Sequence, residues 1–180
     1  MDIITHAIIG AIIAELALWN RPLKERNRGR LIGAVLAAIP DLGGLPGQIA
    51  FSLAAGDWPW VFDILHWEGV ENSWLLAGYW VSHSILLPVI AWIFLRRRGW
   101  AGWMFLAWAS HGFVDVLTHT GPWSIWLFYP LPGQIEGLAD PWSWGMKGWL
   151  FCIIIATLLW YFTSLVAEYW RTNPLEPAQT

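Results

Sequence analysis

The sequence predicts an all-α protein, a polytopic membrane helical bundle of about five spans, one of them short or broken, with tryptophan-rich interfacial segments on its outer side. Three observations predict it. Of 180 residues, 57% are apolar and 13% charged, well outside the ordinary soluble range. Four apolar runs, Ile3–Trp19, Trp74–Leu95, Trp100–Thr118 and Met146–Val166, approach or exceed the ~20 residues a helix needs to cross a bilayer core. Nine of the ten lysines and arginines fall into three clusters that alternate with those runs, as the retention of basic residues on the cytoplasmic side requires. A net charge of −3 offers no basic field for nucleic acid, and the single cysteine, Cys152, excludes an intramolecular disulfide framework.

The elements follow in chain order. Asp2 precedes the first run and bases follow it, the reverse of a signal peptide, so an uncleaved helix with its start outside is expected. The second run, Leu31–Ile39, ends at Pro40-Asp41 and meets a glycine-rich stretch, Gly43 to Gly47, before apolar character resumes through Ala55. It reads as a short or broken helix with an irregular tail that lines a cavity. The third, fourth and fifth spans are the long runs from Trp74, Trp100 and Met146. Arg21, Lys24, Arg26, Arg28 and Arg30, then Arg96, Arg97 and Arg98, then Arg171 would lie inside, which puts the N-terminus outside and the C-terminus in the cytoplasm. Gly56–Asn72 and Thr120–Gly145 hold seven of the seventeen tryptophans and are expected on the outer leaflet. Residues 1–172 form a single domain in this reading, and 173–180 a disordered tail.

An ionisable side chain inside a membrane span is costly without a partner. The runs hold His6, Glu15, His83, His111 and Asp115, with Asp41 and His119 at span ends. Counted inward from the outer ends, His6, His83 and Asp115 lie roughly 7, 13 and 9 Å deep, so one cavity in the outer half of the membrane can collect them. His111, Asp115 and His119 are spaced i, i+4, i+8 on one helical face. Imidazole nitrogen and carboxylate oxygen from separate helices form a ligand set for a divalent metal, with zinc expected first and manganese or iron as alternatives. His6, Asp41, His83, His111 and Asp115 are the candidate ligands, and Asp115 and His119 the candidate proton carriers. The bland alternative is a network of interhelical hydrogen bonds helped by Ser82, Ser84, Ser110 and Thr118. Glu15 is expected as an interfacial acid near the cytoplasmic end. His66, Glu68 and Glu71, and more weakly Asp57 and Asp63, read as solvated loop charges that could form a second site. Asp140-Pro141 has the form of a helix start.

Thr5-His6-Ala7, Ile39-Pro40-Asp41, Ser82-His83-Ser84 and the stretch from Ser110 to Thr118, followed by Gly121 and Tyr129-Pro130, carry a resemblance to the YdjM-type family of bacterial membrane-bound metal-dependent hydrolases. The resemblance covers most of residues 1–135. It implies a plasma-membrane protein whose histidines and aspartates bind a divalent metal and hydrolyse an ester. Two departures stand out: Gly43 and Gly44 occupy the place of a second acid, and Gly78 to Ser82 replace a His-Arg-Gly stretch with its anion-binding arginine. The expected function is hydrolysis of a lipid or lipid-linked (phospho)ester by a metal-activated water. The alternatives are a non-catalytic membrane protein with a structural metal site or a proton or ion pathway, and a lipid-organising scaffold with no metal. The oligomeric state is left open.

Overall fold

The computed structural model describes residues 2–55 and 74–173. Among these the chain is all-helical, with six α-helices and no strand; a single antiparallel bridge joins Ile125 to Ile135. The loop candidates Asp57, Asp63, His66, Glu68 and Glu71, the tryptophans of Gly56–Asn72 and the tail beyond Asn173 lie outside the described residues.

Helix α1 (Ile3–Ala17) starts at Asp2, whose carboxylate accepts the backbone N–H of Ile4 and Thr5 and the Thr5 hydroxyl. This cap satisfies donors that a helix start leaves bare, and it fixes the rotation that turns Thr5, His6, Gly10, Ala14 and Glu15 inward. Helix α2 (Leu23–Ala55) packs along α1. The two backbones touch at Gly10 and Gly33: a Cβ on Gly10 would lie 2.1 Å from the Gly33 carbonyl oxygen, and one on Gly33 2.3 Å from that of Gly10. Neither backbone oxygen can yield without moving a helix. Gly10→Ala is therefore expected to destabilise the fold by about 1–3 kcal/mol, read as a lowered unfolding midpoint in detergent.

The expectation of a broken second helix with an irregular tail is corrected: α2 continues unbroken through Pro40 and the glycines to Ala55. Proline removes one ladder hydrogen bond, but α2 is held on several sides by α1, α3 and α5, and tertiary packing overrides the local cost. The third run is corrected the other way. It divides into α3 (Trp74–His83) and α4 (Leu86–Leu95), bent by 53° at the break. Pro88 sits in the first turn of α4, where no intrahelical N–H is needed. The bare groups at the break are met from outside: Ile85 N–H donates to Leu127 O at 2.8 Å, and the Ser84 hydroxyl lies 3.1 Å from both Leu127 O and Tyr129 O.

Helix α5 (Gly102–Thr118) ends at His119, whose backbone is extended. Residues 120–145, expected on the outer leaflet, contain two 3-10 turns, Gly121–Trp123 and Pro141–Trp144, and pack onto the helices. Ile125 is fully buried, Trp126 packs edge-on against Trp80, and Gly137 N–H donates to His119 O. Hydrogen bonds from the Ser124 hydroxyl and Gly121 N–H hold the exposed Glu136 carboxyl below the ordinary carboxylate range.

Helix α6 (Met146–Thr172) is the one described helix clearly long and apolar enough to cross a membrane, and the bent α3–α4 pair passes as a second span if taken together. About five such helices were expected. At 15 and 17 residues, α1 and α5 reach only ~22 and ~26 Å at ~1.5 Å per residue, and α2 carries a charged first third. Among the described residues little protein covers α6: Phe151, Ile154, Leu158, Leu159 and Phe162 are each more than half exposed, an apolar surface of the kind that marks a membrane or protein contact.

Candidate metal centre

Six of the seven predicted ionisable residues, carried by α1, α2, α3 and α5 and by the residue that ends α5, gather in one cluster, and Glu15 lies apart. The Asp115 carboxylate stands at the middle, 1% exposed. Its Oδ1 lies 3.0 Å from His6 Nε2 and 3.3 Å from His119 Nδ1; its Oδ2 lies 3.0 Å from His111 Nε2 and 3.5 Å from His83 Nε2. Asp41 Oδ1 lies 3.6 Å from both His83 Nε2 and His111 Nε2. His6 stacks on His111 with centroids 3.7 Å apart. Side chains of His6, His83 and His111 are at most 3% exposed, whereas Asp41 is 25% exposed and opens the centre to its surroundings.

The orientation of each ring is set locally. His111 Nδ1 lies 2.7 Å from Ala37 O, and His83 Nδ1 2.8 Å from Tyr79 O. A carbonyl only accepts, so each Nδ1 carries the proton, and in the neutral ring Nε2 presents a lone pair. Ala37 lies three residues before Pro40, in the turn where proline disturbs the ladder, and its carbonyl accepts from a second helix. Gly112 lets α5 close on the end of α3, since a Cβ there would lie 2.9 Å from His83 O.

Two Nε2 lone pairs thus face carboxylate oxygens, which are themselves acceptors. Lone pairs converge this way around a cation. His111 Nε2 has the Asp115 carboxylate 3.0 Å away as its polar neighbour, and Asp41 Oδ2 is buried and makes no hydrogen bond, the pattern of a group whose partner is not a protein donor. Bonds of about 2.0–2.2 Å to a metal set neighbouring ligand atoms about 3.0–3.5 Å apart, the spacing found here. Two buried groups, His6 with His111 and Asp115, and Asp41 with His83 and His111, could each hold a metal ion. They share His111, so they describe overlapping positions. His119 belongs to neither group; it reaches the centre only through Asp115.

The hydrogen-bond alternative is disfavoured for the hydroxyls. Ser82, Ser110 and Thr118 donate to carbonyls three or four residues back on their own helices, a local pairing; Ser84 alone reaches another element. Glu15 is corrected as well. It is fully buried, joined to Arg26 at 2.6 Å and to Arg30, because bases from the start of α2 fold back onto α1. Sequence reasoning missed the second layer: Tyr79, the Ala37 carbonyl and Gly112. Tyr79 stands four residues before His83, a spacing that could have revealed it; the Ala37 carbonyl had no signal beyond its distance from Pro40.

No protein-family model, curated protein or solved structure matches the chain.

Proposed function

We propose that this chain is a metal-dependent hydrolase embedded in the bacterial plasma membrane, acting on a lipid or lipid-linked ester or phosphoester, as its resemblance to the YdjM-type family implies. The carrying observation is the convergence of His6, Asp41, His83, His111 and Asp115 from α1, α2, α3 and α5, with lone pairs directed at one another. Zinc fits this nitrogen and oxygen set best, ahead of manganese or iron. A divalent cation held there supplies Lewis acidity, polarising a carbonyl or phosphoryl oxygen and lowering the pKa of water. Asp115 would help hold that cation, and its Oδ1, 3.3 Å from His119 Nδ1, would with that ring take a proton from water and return it to the leaving group. Asp41, the most exposed of the ligands, marks the approach of the substrate.

The proposed topology keeps five spans with the N-terminus outside; helices α1 and α5 then cross as short members of a bundle whose lipid-facing wall is α6. The Gly10–Gly33 contact, between His6 and Glu15 on α1, brings backbone against backbone, which weighs against an ion pathway running along the α1–α2 seam. Detergent-purified protein is expected to carry bound zinc, manganese or iron by elemental analysis and to hydrolyse at least one member of a panel of phospholipids, acylglycerols and lipid pyrophosphates. Protein without metal rejects the reading, and protein with metal but inert toward the whole panel leaves the non-catalytic alternative.

A further inference from the structure

Beside His83, at the break between α3 and α4, lies a small cleft whose lining includes Pro40, Ser82, His83, Pro88, Trp108 and Ala109. It has room for about one water-sized group. The protons along its edge are already committed. The Ser82 hydroxyl and His83 Nδ1 both turn to Tyr79 O, and the neighbouring Ser84 hydroxyl turns to carbonyls of Leu127 and Tyr129. Trp108 differs: its indole N–H is buried and makes no hydrogen bond, as is also true of Trp80, Trp92 and Trp160, but of these four only Trp108 lines the cleft. The cleft therefore offers one neutral donor beside the centre and calls for a group that only accepts.

Charge narrows the choice. Asp41 and Asp115 together balance a divalent cation, leaving no surplus to attract an anion. No lysine or arginine lines the cleft among the described residues. A phosphodiester would bring uncompensated negative charge against prolines and an indole, which is costly in a low-dielectric site. An ester carbonyl brings none.

Resting on the hydrolase reading, the geometry points to an uncharged carboxylic ester of a lipid as the substrate class, its carbonyl oxygen accepting from Trp108 Nε1–H. Water attacks the carbonyl carbon and the acyl C–O bond breaks. The hydroxyl stays on carbon to give the acid, and the second water proton passes to the departing alkoxide to give the alcohol.

Dioleoyl phosphatidylcholine in mixed micelles with the zinc-loaded protein tests this, because it carries both bond types. Released oleate, with Trp108→Phe lowering kcat/KM by about 10–100-fold at unchanged zinc content, is the expected result. A second readout needs no turnover: with zinc-free protein, the ¹³C-carbonyl infrared band of bound dioleoylglycerol should shift to lower frequency, and Trp108→Phe should abolish the shift. Release of phosphocholine or phosphatidate instead of oleate overturns the ester assignment and leaves the hydrolase standing. Oleate release and a carbonyl band both indifferent to Trp108→Phe overturn the role of the indole. Inertness toward this lipid and the wider panel defeats the hydrolase reading itself, and this inference with it.

Discussion

Asp115→Asn should strip the protein of its metal and its turnover together. The change keeps size and shape but halves the anionic charge that faces a cation and puts an amide where four rings meet a carboxylate. Loss of a partner that merely orients a ligand costs 10–100-fold in metal affinity or activity; loss of a central carboxylate is expected to exceed about 100-fold in both. His83→Ala should act in the same direction, removing an Nε2 that Asp41 and Asp115 both approach. Elemental analysis and lipid hydrolysis on the same preparations provide the check. Full metal occupancy in both variants would remove these residues from the ligand set.

The second large effect lies away from the centre. Glu15→Ala is expected to destabilise the protein by about 3–5 kcal/mol, since it leaves the buried Arg26, 4% exposed, without its counter-charge. Arg30 is less buried and can turn toward solvent, where it already meets Asn27. The cost is mostly the stranded charge rather than the lost attraction, so Glu15→Leu combined with Arg26→Leu should recover part of it. Unfolding midpoints in detergent would show this ordering; a double variant no better than Glu15→Ala would contradict it.

Both effects were unequally legible beforehand. An ionisable residue in an apolar run announces itself by cost alone, and depth counting was enough to place His6, His83 and Asp115 at a common level. Counting cannot say which way a helix is rotated. Asp2 settles that for α1 and the extended backbone at His119 settles it at the end of α5, and both depend on dihedral angles that composition does not encode. Glu15 was misread because pairing with Arg26 and Arg30 requires the chain to reverse at residues 18–22, a tertiary event. The continuity of α2 and the division of α3 from α4 were inverted for a related reason. Proline and glycine were weighed by their local cost, whereas Pro40 is fully buried in a helix that packs on three others and Pro88 stands where its missing donor is not needed. Fewer described helices than expected are by themselves long and apolar enough to cross a membrane, because hydrophobic length was counted in runs: the run from Trp74 divides at a bend, and α1 and α5 are shorter than a full crossing.

The carbonyls of Leu127 and Tyr129 that complete the gap after His83 are contributed by chain synthesised more than forty residues later. A nascent polypeptide released just past Thr118 would already hold every proposed ligand, yet would leave Ile85 N–H and the Ser84 hydroxyl bare at the break. The break beside His83 therefore gains these backbone partners only once the segment beyond α5 has been translated and has folded back, which ties the completion of this edge of the site to late synthesis rather than to insertion of its individual helices.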